Sequence, residues 1–181
     1  MNEEAQTDPY ALLLALDAKA RDNQLVSDAA DEYRQTNSYL SFSVCSKGVL
    51  LPIGEIIELV STPSIVEIPI MQPWMRGIAN IRGSLLPLTD LEGFFCEKRQ
   101  SLGANSRVLI IEKGSSRYGL LVPEVYGIKE IAPEKLREIQ PDAGNPLSGF
   151  CTLHASSGGK EWYLLDFDSL IGDERFMEVA A

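Results

Sequence analysis

The chain has 181 residues, 45% of them hydrophobic and 23% charged, enough apolar material for a sizeable core and too little polar bias for disorder or a fibrous repeat. Against 16 Lys and Arg stand 26 Asp and Glu, a formal net charge of -10, so the whole-protein field repels phosphate backbones and nucleic acid is a poor partner. The length suits one domain with an appendage, or two small barrels sharing a core.

Half of the charge lies at the N-terminus. Residues 1–36 carry eight acidic and three basic side chains, a net of -5. Asp8-Pro9 supplies an N-cap and a proline at the first helical position, so Tyr10 to Arg21 is predicted helical, with Leu12, Leu13 and Leu16 on one arc and Asp17, Arg21 and Asp22 opposite. Such a helix docks on its own domain or on a partner. The opening Met-Asn-Glu-Glu is acidic where a signal peptide is basic, and no stretch approaches the roughly 18 apolar residues of a membrane span, which reads as a cytoplasmic protein. Cys45, Cys96 and Cys151 are odd in number, widely spaced and without a CxxC pair, so neither a disulfide framework nor a metal site is expected.

From residue 38 the texture is β. Tyr39 to Cys45 alternates as a half-buried strand, Lys47-Gly48 turns into Val49 to Pro52, and Ile56 to Val60 is another strand. Leu85 to Leu88, Arg107 to Glu112 and Tyr118 to Val122 come next, the last two joined by Gly114-Ser-Ser116. Phe150 to Ala155 and Glu161 to Asp166 flank the turn Ser156-Ser-Gly-Gly159. Short strands separated by turns, without alternating long helices, predict a mainly β barrel or sandwich rather than a βαβ sheet, with helix past residue 36 confined to Asp90–Phe95 and Asp168–Ile171.

Reaction chemistry is missing. There is no phosphate loop, dinucleotide fingerprint, nucleophile elbow or zinc-protease motif, and His154 is the single histidine, read as structural or solvated. Asp166 and Asp168 read as the exit of a strand or the cap of a final helical turn. No catalytic residue, cofactor or metal is assigned.

The informative segment is 68–93. Two Arg-Gly pairs, Arg76-Gly77 and Arg82-Gly83, bracket Ile78-Ala-Asn-Ile81, with Leu85-Leu-Pro-Leu88 downstream. Gly77 and Gly83 imply backbone conformations or close approaches that a Cβ would obstruct. Arg82 stands among apolar residues, so its guanidinium needs a carboxylate or several carbonyls, and Glu58 on the Ile56 to Val60 strand is a candidate partner.

Gly77, Ile78, Asn80, Ile81, Arg82, Gly83, Leu85, Leu86, Pro87, Leu88, Asp90 and Leu91 together resemble the signature of CheW-like adaptor domains. The resemblance extends over about 37–172, through Tyr39 to Val44, Ile56-Ile-Glu-Leu59, Ile68-Pro69 and Leu164-Leu-Asp166 with Leu170. Val122-Pro123-Glu124-Val125 departs from it, lacking the family's usual aspartate. The fold it implies is two intertwined five-stranded SH3-like barrels, giving an organisation of leader 1–36, CheW-like domain 37–175 and short tail 176–181. The function it implies is non-catalytic: an adaptor linking the cytoplasmic tip of a chemoreceptor to the regulatory domain of a two-component histidine kinase, reaching the membrane only through the receptor. Arg82, Glu58, Ile56 and Asn80 are then the partner-binding candidates, and Gly77, Gly83, Pro87 and Asp90 the structural ones. The acidic leader is similar to that of type IV pilus twitching-motility adaptors more than to flagellar ones. A homo-oligomeric structural protein is the remaining alternative.

Overall fold

A computed structural model describes residues 37–180 apart from 141 and 143. The chain divides into two units, Met1–Thr36 and Asn37–Ala181; the expected leader helix lies outside the described residues.

Twelve strands form two six-stranded sheets. In chain order they are β1 (Ser38–Val44), β2 (Lys47–Pro52), β3 (Ile56–Ser61), β4 (Ile65–Val66), β5 (Met75–Ile81), β6 (Ser84–Asp90), β7 (Arg107–Lys113), β8 (Ser116–Val122), β9 (Val125–Glu130), β10 (Arg137–Glu138), β11 (Cys151–Ser157) and β12 (Lys160–Leu165). One sheet runs β10-β11-β12-β2-β1-β9, the other β3-β7-β8-β6-β5-β4. Each contains five full strands plus one of two residues, β10 or β4, which extends the five-stranded units that the resemblance implies. The second sheet is inserted between β2 and β9 of the first, so the first is built from both ends of the domain. Parallel pairing of β12 with β2, Tyr163 opposite Val49, joins those ends.

This nesting corrects the reading of β1 as half-buried. Leu40, Phe42 and Val44 enter the main core, while Tyr39 packs into a second cluster with Leu50, Ile131 and Trp162 on the other face. Ser41, 1% exposed, satisfies its hydroxyl by donating to the Gly127 carbonyl at 2.7 Å. A strand covered on both faces can carry serine only where such an acceptor waits, since a buried unpaired hydroxyl costs about 1–3 kcal/mol.

Pro87 sits inside β6 without breaking it. β6 gains its parallel partner β8 only from Leu88 onward, so at Pro87 only β5 is paired and the missing N–H is not needed.

Three short α-helices lie wholly within the described residues: α1 (Leu91–Cys96), α2 (Phe167–Ile171) and α3 (Glu174–Met177). Asp90 caps α1 and Asp166 caps α2, Oδ1 accepting from Ser169 N at 3.0 Å and Oδ2 from Ser169 Oγ at 2.7 Å. Those bonds hold the Asp166 carboxyl below the ordinary aspartate range. Residues 176–180, expected to lie in a tail, are instead part of the fold. Phe176 is 3% exposed, stacked on Trp74 at 5.9 Å and edge-on to Phe94 at 5.3 Å, and Met71 bridges to Ala180.

The cysteines also differ from expectation. Cys45, in the turn after β1, and Cys96, at the end of α1, form a disulfide, their Cα atoms 6.2 Å apart, and tie the β1–β2 hairpin to the helix after β6. Wide spacing in sequence says nothing about distance once one sheet is nested in the other. Cys151 is a buried thiol whose pKa is pushed up to about 12, by burial and then by the Asp166 charge. Among the described residues no helix is long and apolar enough to cross a membrane, and no group of three His, Cys, Asp or Glu side chains could hold a metal ion.

Candidate functional site

The signature segment folds as the β5–β6 hairpin. Its tip is Arg82-Gly83, with φ of 51° and 86°, the two positive values that a tight type I′ turn needs. Asn80 fixes the turn by accepting from Gly83 N through Oδ1 at 2.8 Å. Nothing lies within 4 Å of a Cβ built on Gly83, so glycine is required there for its backbone angle alone. Gly77 is different. Its φ is 127°, and a Cβ would stand 2.1 Å from the Val66 carbonyl oxygen, because β4 crosses against β5 at that point.

Arg82 reaches from the hairpin tip to Glu58 on β3, Nη2 to Oε1 2.8 Å. β3 is an edge strand bonded only to β7, so the ion pair joins an edge of the sheet to the tip of a hairpin on its far side. The pair is the expected one, but its setting is not. The Arg82 side chain is 80% exposed, so the apolar neighbours in sequence do not bury it; they alternate inward while the turn projects the arginine outward.

That exposure decides what the pair can do. A solvated ion pair contributes about 0–1 kcal/mol, whereas a non-glycine residue held at positive φ costs on the order of 1–3 kcal/mol. Arg82 is therefore not placed for stability. The pair borders a shallow cleft of ≈ 110 Å³ lined by Ile57, Glu58, Ile81, Arg82, Ser84 and Arg117 among others. The same elements leave Ile57 51%, Leu59 43% and Leu85 73% exposed. Of these, Ile57 lines the cleft beside the pair, and a charged pair next to an aliphatic side chain open to solvent suits contact with another protein.

Of the partner-binding candidates, Arg82, Glu58 and Asn80 meet at this hairpin and strand. Ile56 does not join them. A register shift between Ile56 and Glu58 breaks the alternation, and Ile56 packs against the main core while Ile57 lines the cleft. Ile57 and Leu85 were missed, because strict alternation assigns them no special face and a bulge is invisible in composition.

Of the structural candidates, Asp90 carries the most. It is fully buried, its Oδ1 accepting from Gly93 N at 3.1 Å and its Oδ2 from Gln100 N at 2.7 Å. Facing it is Arg76, 8% exposed, whose Nη1 lies 3.5 Å from Asp90 Oδ2 and donates to the Gln100 carbonyl at 2.9 Å. The buried arginine of the 68–93 segment is thus Arg76, which its sequence neighbours do not single out; the signal was Asp90 itself, an acidic residue in an apolar run that needs a cationic partner nearby.

His154 lies on the other sheet, its Nδ1 2.7 Å from Glu161 Oε2, and this bond helps hold the Glu161 carboxyl below its usual range.

Known proteins are similar to this chain over most of its length. It is 29% identical over 173 residues to Protein PilI of Pseudomonas aeruginosa, covering 95% of this chain and 96% of that one. It is 21% identical to Chemotaxis protein CheW of Klebsiella aerogenes, over 75% of this chain and 82% of that one. The solved structure of scaffolding protein TtCheW from Thermoanaerobacter tengcongensis superposes with a TM-score of 0.64 at 25% identity, covering 71% of this chain and 88% of that one. Residues 38–175 match the model of the CheW-like domain. The chain belongs to the CheW-like domain family.

Proposed function

We propose that the protein is a non-catalytic cytoplasmic scaffold adaptor that couples the cytoplasmic tip of a chemoreceptor to the regulatory domain of a two-component histidine kinase, in the pathway that drives type IV pilus twitching motility. The observation that carries this reading is the Glu58–Arg82 pair, solvated, with the exposed Ile57 lining the cleft beside it, and displayed on a turn whose strain the pair does not repay. Such a surface offers a partner a charged pair beside an open aliphatic side chain and offers a substrate no enclosed pocket. Twitching is favoured over flagellar swimming because the similarity to PilI covers 95% of the chain and so runs past the domain, whereas that to Klebsiella CheW covers 75%.

Co-purification from the source bacterium tests the reading. The tagged protein is expected to retain a chemoreceptor and a histidine kinase together, and Arg82→Glu to lose at least one of them while melting at the wild-type temperature. A folded variant that retains both would remove Arg82 from the binding surface. Deleting the gene separates the pathways: loss of twitching with swimming intact is the expected result, and the converse would assign the flagellar one.

A further inference from the structure

The first sheet has a feature that the adaptor reading does not use. Its edge is β9, hydrogen-bonded on one side to β1 and to no other strand among the described residues. Regular pairing of Ser41 with Gly127 and of Phe42 with Val125 leaves Tyr126 as an inserted residue, and Gly127 adopts φ 107°. A Cβ on Gly127 would meet nothing within 4 Å, so the glycine serves the bulge itself.

The bulge has a geometric result. Tyr126 and Lys129 are three residues apart and would face opposite ways on a regular strand. Here both reach Trp162: the tyrosine ring lies edge-on to the indole at 5.8 Å, and the Lys129 ammonium stands 4.4 Å from its centroid. Lys160 comes to the same place from β12, 4.9 Å from the Trp162 ring and 4.4 Å from the Tyr126 ring, with Nζ 3.4 Å from the tyrosine hydroxyl.

Two ammonium groups thus share one indole, and neither has a carboxylate within ion-pair distance among the described residues. Beside them Tyr126 is 46% exposed, and on the other face of the same edge Ile128, opposite Leu40, is 63% exposed. Bulges and lysines ordinarily protect a sheet edge by keeping charge in water. These lysines are instead held against aromatic faces, in a protein whose net charge is -10. Like charges gathered without a counter-ion await an anion, and an edge strand with unpaired amides awaits an extended chain.

We infer that the β9 edge, with Lys129, Lys160, Tyr126 and Ile128, is a docking surface for an extended acidic polypeptide segment of a partner. Its carboxylates meet the two ammonium groups and its backbone adds along β9. The surface is on the opposite sheet from Glu58 and Arg82 and does not depend on their role.

A labelled oligo-glutamate peptide, monitored by nuclear magnetic resonance of the full chain, tests this. Chemical-shift changes are expected at Tyr126, Ile128, Lys129 and the Trp162 indole N–H, with slowed amide exchange in β9. Lys129→Glu with Lys160→Glu should weaken binding by at least about tenfold, roughly the loss of two screened charge contacts, while Lys98→Glu with Lys135→Glu, the same charge change elsewhere, should not. Lys129→Gln with Lys160→Gln gives the milder variant if the reversal unfolds the protein. Equal loss in both charge-reversal pairs, or shifts scattered over the surface, would overturn the inference. So would inorganic phosphate binding as tightly as the peptide, which marks a small-anion site, or self-association at this edge in the absence of peptide, which marks a second copy as the occupant.

Discussion

Arg76 and Arg82 each precede a glycine, one near the start of β5 and the other just past its end, and the fold uses them in opposite ways. Arg76 is buried against Asp90 and the Gln100 carbonyl, joining β5, the α1 cap and the loop before β7. Arg82 is solvated on a turn and meets Glu58 directly, Nη2 to Oε1 2.8 Å, at the surface. The same residue type in the same dipeptide is internal scaffolding in one place and display in the other, and burial alone separates the two. Gly77 and Gly83 divide likewise, the first required by the carbonyl of Val66, the second by the angles of the turn.

The sharpest test is to break each arginine's pair. Asp90→Ala leaves a guanidinium buried without its partner and is expected to cost about 3–5 kcal/mol, whereas Glu58→Ala should change stability by no more than about 1 kcal/mol; urea unfolding measures both. Equal losses would erase the distinction. Reducing the Cys45–Cys96 disulfide, which fastens the Arg76 side of the molecule through α1, should lower stability by about 2–4 kcal/mol in the same assay, and Cys96→Ser should abolish the response to reductant.

The glycines give the next contrast. Gly77→Ala forces β4 away from β5 and is expected to cost on the order of 3 kcal/mol, against about 1 kcal/mol for Gly83→Ala, where only the backbone angle is strained.

At alkaline pH a buried group sets the response. The Cys151 thiol titrates about 12 in the fold against 9.0 for an ordinary thiol, so it favours folding fully below pH 9 and loses that contribution as the pH rises from 9 towards 12. Thermal melts should fall less steeply above pH 9 in Cys151→Ala than in the wild type. The smallest effect belongs to the exposed pair: exchanging its charges, Glu58→Arg with Arg82→Glu, should show a coupling below about 1 kcal/mol, while binding of receptor and kinase responds fully.

How much of the molecule is legible in its sequence depends on range. Local chemistry is: the turn residues at Gly114 and at Gly158-Gly159, the caps at Asp90 and Asp166, and the strand segments they separate obey rules acting over a few residues. The Glu58–Arg82 pair is reached through the signature and charge matching. Whatever depends on a second strand is not. The bulges at Ile57 and Tyr126 exist only relative to β7 and β1, and the exposure of Arg82 depends on a turn projecting it. β9 escapes notice because a glycine interrupts Val125-Tyr-Gly-Ile-Lys-Glu130 and a proline precedes it, and the Cys45–Cys96 bond because nesting brings together segments that the sequence keeps apart.

Nesting also has a temporal side. β5–β6 and β7–β8 are hairpins whose partners adjoin in sequence, so the inserted sheet can begin to assemble early. β2, by contrast, acquires its second neighbour only when β12 arrives, pairing Gly48 with Trp162. Contacts of such separation slow folding, and during synthesis β1 and β2 must wait with an open apolar face until almost the whole domain has left the ribosome.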